Sequence, residues 1–309
     1  PAKLRRHRCS LLCRQIILTN DIILVNSTRL FFCDNLVKGA YLCYTIVVNF
    51  SGVIKNMEVP VTSPNPIALT IAGFEIRWYG ILIALGAMLA LFISYRRAPK
   101  HGIASEDVLD LSLGMIPIGI IGARLYYVAF SWDYYKLYPA EIINIRGGGL
   151  AIHGGLIFGL VTAYIMCRYK KISFVEMADL VLPTVALAQA IGRWGNFFNG
   201  ESHGIETNVP WAIIVDGQRV HPTFLYESIW CLVIFAFLSF MYSNRAFPGQ
   251  IACMYGLLYA PERFFVEGLR TDSLMIGILR QAQVISIVIF VVSLLLYIYL
   301  RRRNKLNNR

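Results

Sequence analysis

Charge is what this chain has little of. Of its 309 residues only 15% are Asp, Glu, Lys or Arg, against about 25% in a soluble globular domain. That scarcity excludes disorder and argues against an ordinary cytosolic enzyme. Cysteine chemistry is also missing. Seven cysteines are present, but Cys167, Cys231 and Cys253 are scattered in apolar stretches with no ligand or disulfide spacing, and read as small buried hydrophobes. Cys9, Cys13, Cys33 and Cys43 fall in the first 56 residues. No metal-ligand spacing, phosphate-binding loop, Gly-x-Ser-x-Gly elbow or dinucleotide fingerprint occurs. A nucleic-acid partner is excluded on composition, because it needs a basic face on a soluble module.

What is present is apolar. Hydrophobic residues make up 57% of the chain and the mean hydropathy is +0.57. The net charge of +11 sits wholly in the two ends: residues 1–56 carry +6, residues 301–309 carry +5, and residues 57–300 hold equal numbers of acids and bases. A membrane protein with basic loops fits this distribution.

A helical span needs about 20 mostly apolar residues. The sequence predicts seven, near 79–95, 108–130, 150–167, 174–192, 224–242, 249–268 and 281–300. The second, fourth and sixth are interrupted by charge: Asp110 and Arg124, Glu176 and Asp179, and Glu262, Arg263 and Glu267. Basic residues follow the odd-numbered spans: Arg96, Arg97 and Lys100; Arg168, Lys170 and Lys171; Arg245; then Arg301, Arg302, Arg303, Lys305 and Arg309. Seven spans place all of them on one side, which the positive-inside rule makes the cytoplasm. The expected class is therefore an all-α, polytopic membrane protein with its N-terminus outside and its C-terminus cytoplasmic.

Three segments follow from this. Residues 1–56 behave differently from the rest: an early basic cluster leads into an apolar run broken by Asn20 and Asp21, with no clean signal-peptide cleavage site. Its neutral stretch at 39–54 is short for a span. Met57 is the expected functional start, with 57–300 as the seven-span membrane domain and 301–309 as a basic cytoplasmic tail.

Ionisable groups inside spans are costly and need a reason. Arg193, Asn196 and Asn199 are spaced i, i+3, i+6, which on a helix forms one polar stripe. The planar Arg fork suits phosphate. Gly192, Gly195, Gly200 and Gly204 permit close approach or tight turns. Arg263, Glu267 and Arg270 fall at i, i+4 and i+7, again one helical face. His153 is the one imidazole in an apolar span; by position alone it is more often a packed core residue, although imidazole is suited to moving protons. Trp78 and Tyr79 fit an interfacial aromatic belt, and Tyr226 and Glu227 open the fifth span either as interfacial groups or as orienting ones. These residues fit an enzyme acting on an anionic phospholipid, and equally a transporter or channel for an anionic solute; the latter predicts internal repeats, of which none is clear.

The motifs carry a resemblance. Pro-Asn-Pro-Ile-Ala (64–68), Ile-Arg-Trp-Tyr-Gly-Ile-Leu-Ile-Ala (76–84), Gly-Ala-Arg-Leu-Tyr-Tyr-Val (122–128), Ile-His-Gly-Gly-Leu (152–156), Gly-Arg-Trp-Gly-Asn-Phe-Phe-Asn-Gly-Glu (192–201), His-Pro-Thr-Phe-Leu-Tyr-Glu (221–227) and Arg-Phe-Phe-Val-Glu-Gly-Leu-Arg (263–270) resemble, in order, those of the bacterial prolipoprotein diacylglyceryl transferase family. The resemblance covers about 57–300. It implies a seven-helix enzyme of the bacterial cytoplasmic membrane that needs no metal or soluble cofactor. Its substrates are phosphatidylglycerol and the lipobox cysteine of a prolipoprotein signal peptide; its products are a thioether-linked diacylglyceryl protein and glycerol phosphate. The resemblance implies roles for His153 as base and for Arg193 and Arg263 on the phosphate. It implies that Glu267 and Arg270 orient the head group or Arg263. Asn196, Asn199, Glu201 and Gly204 then shape the outer pocket, and Tyr79 contacts lipid or the base.

Overall fold

The computed structural model describes residues 61–307, apart from 63, 72, 146–147 and 272–274. The stretch 1–56, with its cysteines and the expected start at Met57, lies outside the described residues. So does the last part of the basic tail.

Seven long helices dominate the described residues. They are α1 (Trp78–Arg97), α2 (Ser105–Phe130), α3 (Ile152–Tyr169), α4 (Phe174–Asn199), α5 (Thr223–Tyr242), α6 (Gln250–Leu269) and α7 (Gln281–Asn307). Each overlaps a predicted span, with ends that differ by up to seven residues. Local chemistry sets the ends. Glu106 and Asp107 occupy the first turn of α2, where carboxylates oppose the helix dipole favourably. Ser173 caps α4 by accepting from the Glu176 amide. Gly200, at φ 66°, closes α4 in the left-handed conformation that glycine adopts without strain.

Six of the seven, all but α6, are long and apolar enough to cross a membrane. Their outward faces fit that solvent: Val288, Val291, Val292 and Leu295 of α7 and Ile157, Leu160, Val161 and Ile165 of α3 are exposed. The chain is thus a predominantly helical integral membrane protein. Helix α6 has the length, but Glu262, Arg263 and Glu267 lower its hydropathy, so its place in the bundle is set by what those charges meet.

The main helix pairs are α1 with α4, α2 with α3, α4 with α5, and α6 with α7. Small residues let the backbones approach, as is usual where apolar burial cannot drive association in lipid. A Cβ on Gly86 would stand 3.0 Å from the Ala188 carbonyl oxygen, and one on Gly154 would stand 2.3 Å from that of Gly122. The Ser94 and Thr184 hydroxyls share a buried hydrogen bond of 2.8 Å between α1 and α4. Leu180, Ile234, Leu238 and Ile251 form the fully buried centre.

The basic loops meet at one end of the bundle. Lys170, after α3, pairs with Asp107 at 2.8 Å and Asp110 at 2.5 Å on α2; these hydrogen bonds hold its ammonium above the usual lysine range. Arg245, between α5 and α6, pairs with Glu176 and, at 2.9 Å, with Asp179 of α4. Asp179 also accepts the Gly249 and Ala252 amides, each at 2.8 Å. Asn304, near the end of α7, reaches the Ala246 carbonyl.

The opposite end carries β-structure that an all-α reading did not anticipate. Strands β2 (Ile67–Ile71) and β3 (Phe74–Arg77) form an antiparallel hairpin leading into α1. Strand β1 (Val61–Thr62) pairs in parallel with β4 (Ile213–Val215), which pairs with β5 (Gln218–Val220). Asp216 (φ 50°) and Gly217 (φ 80°) make the tight turn between the last two, where two positive φ angles match the strand twist. A third hairpin, β6 (Met275–Ile276) and β7 (Leu279–Arg280), precedes α7.

Candidate active site

The arginines of α4 and α6 converge on one carboxylate of α5. Glu227 is 1% exposed. Its Oε1 lies 3.1 Å from an Nη of Arg193 and 2.6 Å from an Nη of Arg263. The second Nη of Arg263 lies 2.7 Å from Oε2 of Glu267, one turn along α6. Arg270 continues the series, its Nε 3.9 Å from the same Glu267 oxygen. Three guanidiniums and two carboxylates thus form one chain, with positive charge in excess. Among the described residues Arg193 has no other hydrogen-bond or ion-pair partner, so most of its five donors face outward from the pair. A fork of this kind, held by one buried carboxylate, is suited to bind a phosphate.

Arg270 does not extend the α6 face as its spacing predicted. The helix ends at Leu269, and Arg270 is extended (φ −78°, ψ 150°). It forms an isolated antiparallel bridge with Gly204, and its guanidinium donates to Ser202 Oγ at 2.9 Å. The i, i+7 spacing failed because Arg270 joins a loop sheet instead of a further helical turn.

Asn196 and Asn199 do share a stripe, because α4 runs through Asn199. Both side-chain amides donate to Oε1 of Glu201 at 3.2 Å, just past the Gly200 cap. The loop then doubles back. The Gly204 amide donates to the His221 carbonyl at 2.9 Å, and a Cβ on Gly204 would stand 2.7 Å from His221 Cβ. Thr223 Oγ1 donates to the Ser202 carbonyl. Asn199, Gly200 and the Val215–Gly217 turn line an open polar cavity of about 420 Å³ with Thr62.

Tyr79 and His153 occupy separate places. Tyr79, in the first turn of α1, packs across Gly195 of α4, where a Cβ would stand 2.5 Å from Tyr79 Cδ2. This puts it beside the stripe bearing Arg193 and Asn196. His153 is the second residue of α3, half-buried, and its ring centroid lies 6.2 Å from that of Tyr126 on α2. Among the described residues no hydrogen bond or ion pair joins it to the arginines. The structure therefore gathers Arg193, Arg263, Glu267 and Arg270 in one network and Asn196, Asn199 and Glu201 in another, with Gly204 bridging to Arg270.

Two acids were not singled out as site residues. Glu227 reads from the sequence as either an interfacial or an orienting group at the mouth of a span; the structure brings arginines 34 and 36 positions away to it. Glu262 lies within electrostatic reach of Arg193, Glu227 and Arg263, but both its oxygens are shielded and have no hydrogen-bond partner among the described residues. Among the described residues no group of three His, Cys, Asp or Glu is placed to hold a metal ion. The chemistry available is anion binding by arginine, with a separate imidazole.

The chain is similar to known proteins of one family. The family model described as "Prolipoprotein diacylglyceryl transferase" matches residues 66–299. A phosphatidylglycerol–prolipoprotein diacylglyceryl transferase of Clostridioides difficile (strain 630) is 52% identical over 241 residues, covering 78% of this chain and 97% of that protein. Proteins of the same name are 50% identical in Finegoldia magna, over 77% of this chain and 96% of theirs, and 44% identical in Listeria innocua, over 79% and 91%. Matched along most of both lengths, the chain belongs to the prolipoprotein diacylglyceryl transferase family.

Proposed function

We propose that the Arg193–Glu227–Arg263 network is the phosphate-holding centre of this transferase. The protein transfers the diacylglyceryl group of phosphatidylglycerol to a prolipoprotein, and the acceptor is the thiol of the lipobox cysteine. The observation that carries the assignment is two guanidiniums meeting one buried carboxylate oxygen, at 3.1 and 2.6 Å, among apolar helices.

The reaction sets what these residues do. The thiol gives its proton to an imidazole nitrogen of His153, because thiolate is the nucleophile and an apolar site disfavours it. A sulfur–carbon bond forms at the glyceryl carbon. The carbon–oxygen bond to phosphate breaks, and its electron pair leaves with the phosphate oxygen as glycerol phosphate. Arg193 and Arg263 bind that oxygen's phosphate and stabilise the charge that develops on it. Donors placed at developing charge in a dry site contribute about 10²–10³-fold in rate. Glu227 and Glu267 orient the two forks, and Arg270 ties Glu267 to the Gly204 loop. Asn196, Asn199 and Glu201 form the outer wall, and Tyr79 borders the lipid. Seven spans, counting α6, put the N-terminal hairpin and the active site outside and the basic end inside, in the cytoplasmic membrane of a bacterial cell.

The test is transfer of labelled diacylglyceryl from phosphatidylglycerol to a lipobox peptide by purified protein in detergent or vesicles. A thioether product that disappears when the peptide cysteine is replaced by serine is expected. For the base, His153→Gln is expected to lower turnover at every pH; undiminished turnover removes His153 from that role.

A further inference from the structure

Arg124, in the Gly-Ala-Arg-Leu-Tyr-Tyr-Val motif, has no place in the chemistry above, yet it is among the most fully bonded side chains in the protein. It lies near the end of α2 and is 6% exposed. Its Nε donates to the Ile142 carbonyl at 2.9 Å, and one Nη donates to the Glu141 carbonyl at 2.6 Å. The other Nη donates to the Gly148 carbonyl at 2.7 Å and the Gly149 carbonyl at 2.9 Å. Its guanidinium stacks over Tyr135 at 5.2 Å. No carboxylate contacts it among the described residues, so a buried cation is satisfied by backbone carbonyls and the Tyr135 ring.

That backbone leads directly into the helix bearing His153. Gly149 stands four residues before it, at φ 74°, with no room for a side chain: a Cβ there would meet an Arg124 Nη at 2.5 Å and Tyr127 at 2.8 Å. The Ala151 amide then donates to the Ala123 carbonyl at 3.0 Å. Gly154 packs on the Gly122 carbonyl, and the His153 ring faces Tyr126. One stretch of α2, Gly122–Tyr126, thus fixes the chain before, at and after His153.

We infer that Arg124 is a positioning residue for the transfer reaction: its fan of carbonyl contacts sets where α3 begins and so where the His153 imidazole stands. This rests on the reading of His153 as the base. The requirement is for Arg itself, because only a planar fork serves carbonyls on both sides; the Lys ammonium is a point donor on a flexible stem. A base displaced by about 1 Å costs on the order of 10²-fold, whereas phosphate binding by Arg193 and Arg263 is untouched.

Four purified variants test this: Arg124→Lys, Gly149→Ala, His153→Gln and the double variant Arg124→Lys/His153→Gln. Arg124→Lys and Gly149→Ala are each expected to lower kcat about 10- to 100-fold with KM for phosphatidylglycerol within about threefold of the parent. The double variant is expected to be no slower than His153→Gln alone, within about threefold, because both changes disable one function. Losses that multiply in the double variant overturn the inference, as does a rise in KM with kcat preserved. Failure of both Arg124→Lys and Gly149→Ala to fold also overturns it, since the contacts then serve the fold. Full activity of His153→Gln is a different result: it removes the base assignment itself.

Discussion

An Nη of Arg263 lies 2.6 Å from Oε1 of Glu227, a charged contact between α6 and α5 inside an apolar bundle. Removing one partner of such a buried pair leaves the other uncompensated, at a cost of about 3–5 kcal/mol. Glu227→Gln is therefore expected to lower transfer at least 10²-fold. Glu262, whose oxygens have no donor, predicts the reverse: Glu262→Gln keeps activity within about threefold, since nothing bonded is lost. Kinetics of the two variants side by side check the distinction, and equal losses in both would contradict it.

Close packing of α1 on α4 gives a second expectation. A Cβ at Gly195 would stand 2.5 Å from Tyr79 Cδ2 and 3.2 Å from its Cα, so one of the two helices must shift. Overpacking of this kind costs about 1–3 kcal/mol. Gly195→Ala is expected to lower both melting temperature and transfer rate. A variant with unchanged stability would show that the crossing is looser than its geometry states.

At the basic end, Asp179 is fully buried and accepts from Gly249, Ala252 and Arg245. Asp179→Asn keeps the shape but removes one of the two countercharges to Arg245 and one of the oxygens that accept its buried donors. It is expected to destabilise by about 3 kcal/mol and to lower the melting temperature by about 5–10 °C, measured in detergent, while leaving KM for lipid unchanged in the folded fraction.

Topology is checked by accessibility. Single cysteines placed at Lys100 or Lys171, in a background without native cysteines, are expected to resist a membrane-impermeant maleimide in intact cells. One at Gln218 is expected to react. Labelling in the opposite sense would invert the orientation; labelling of all three would remove one span from the count.

The helices were legible because each span is bounded by charge, glycine or proline, and because only an alternating arrangement puts every basic loop on one side. The structure adds the partners: Lys170 with Asp107, Arg245 with Asp179, each more than 60 positions apart. Such separations explain what was not legible. For Glu227 the sequence left an interfacial and an orienting reading side by side, and only folding places Arg193 and Arg263 on it. Arg270 followed helical spacing in sequence, but an extended C-terminal residue took it to Ser202 instead. The short hairpins carry too few residues to show alternation, and their turns at Gly73, Gly217 and Gly277 are single residues among many glycines.

The central claim is that Arg193 and Arg263 hold the phosphate that leaves. The most direct measurement is initial-rate transfer of labelled phosphatidylglycerol to a lipobox peptide by purified Arg193→Ala, Arg193→Lys and Arg263→Ala proteins shown to be folded. The account predicts a loss of at least 10²-fold in each Ala variant, and a clear deficit in Arg193→Lys because a point charge cannot replace the fork. Wild-type rates in either folded Ala variant would contradict it.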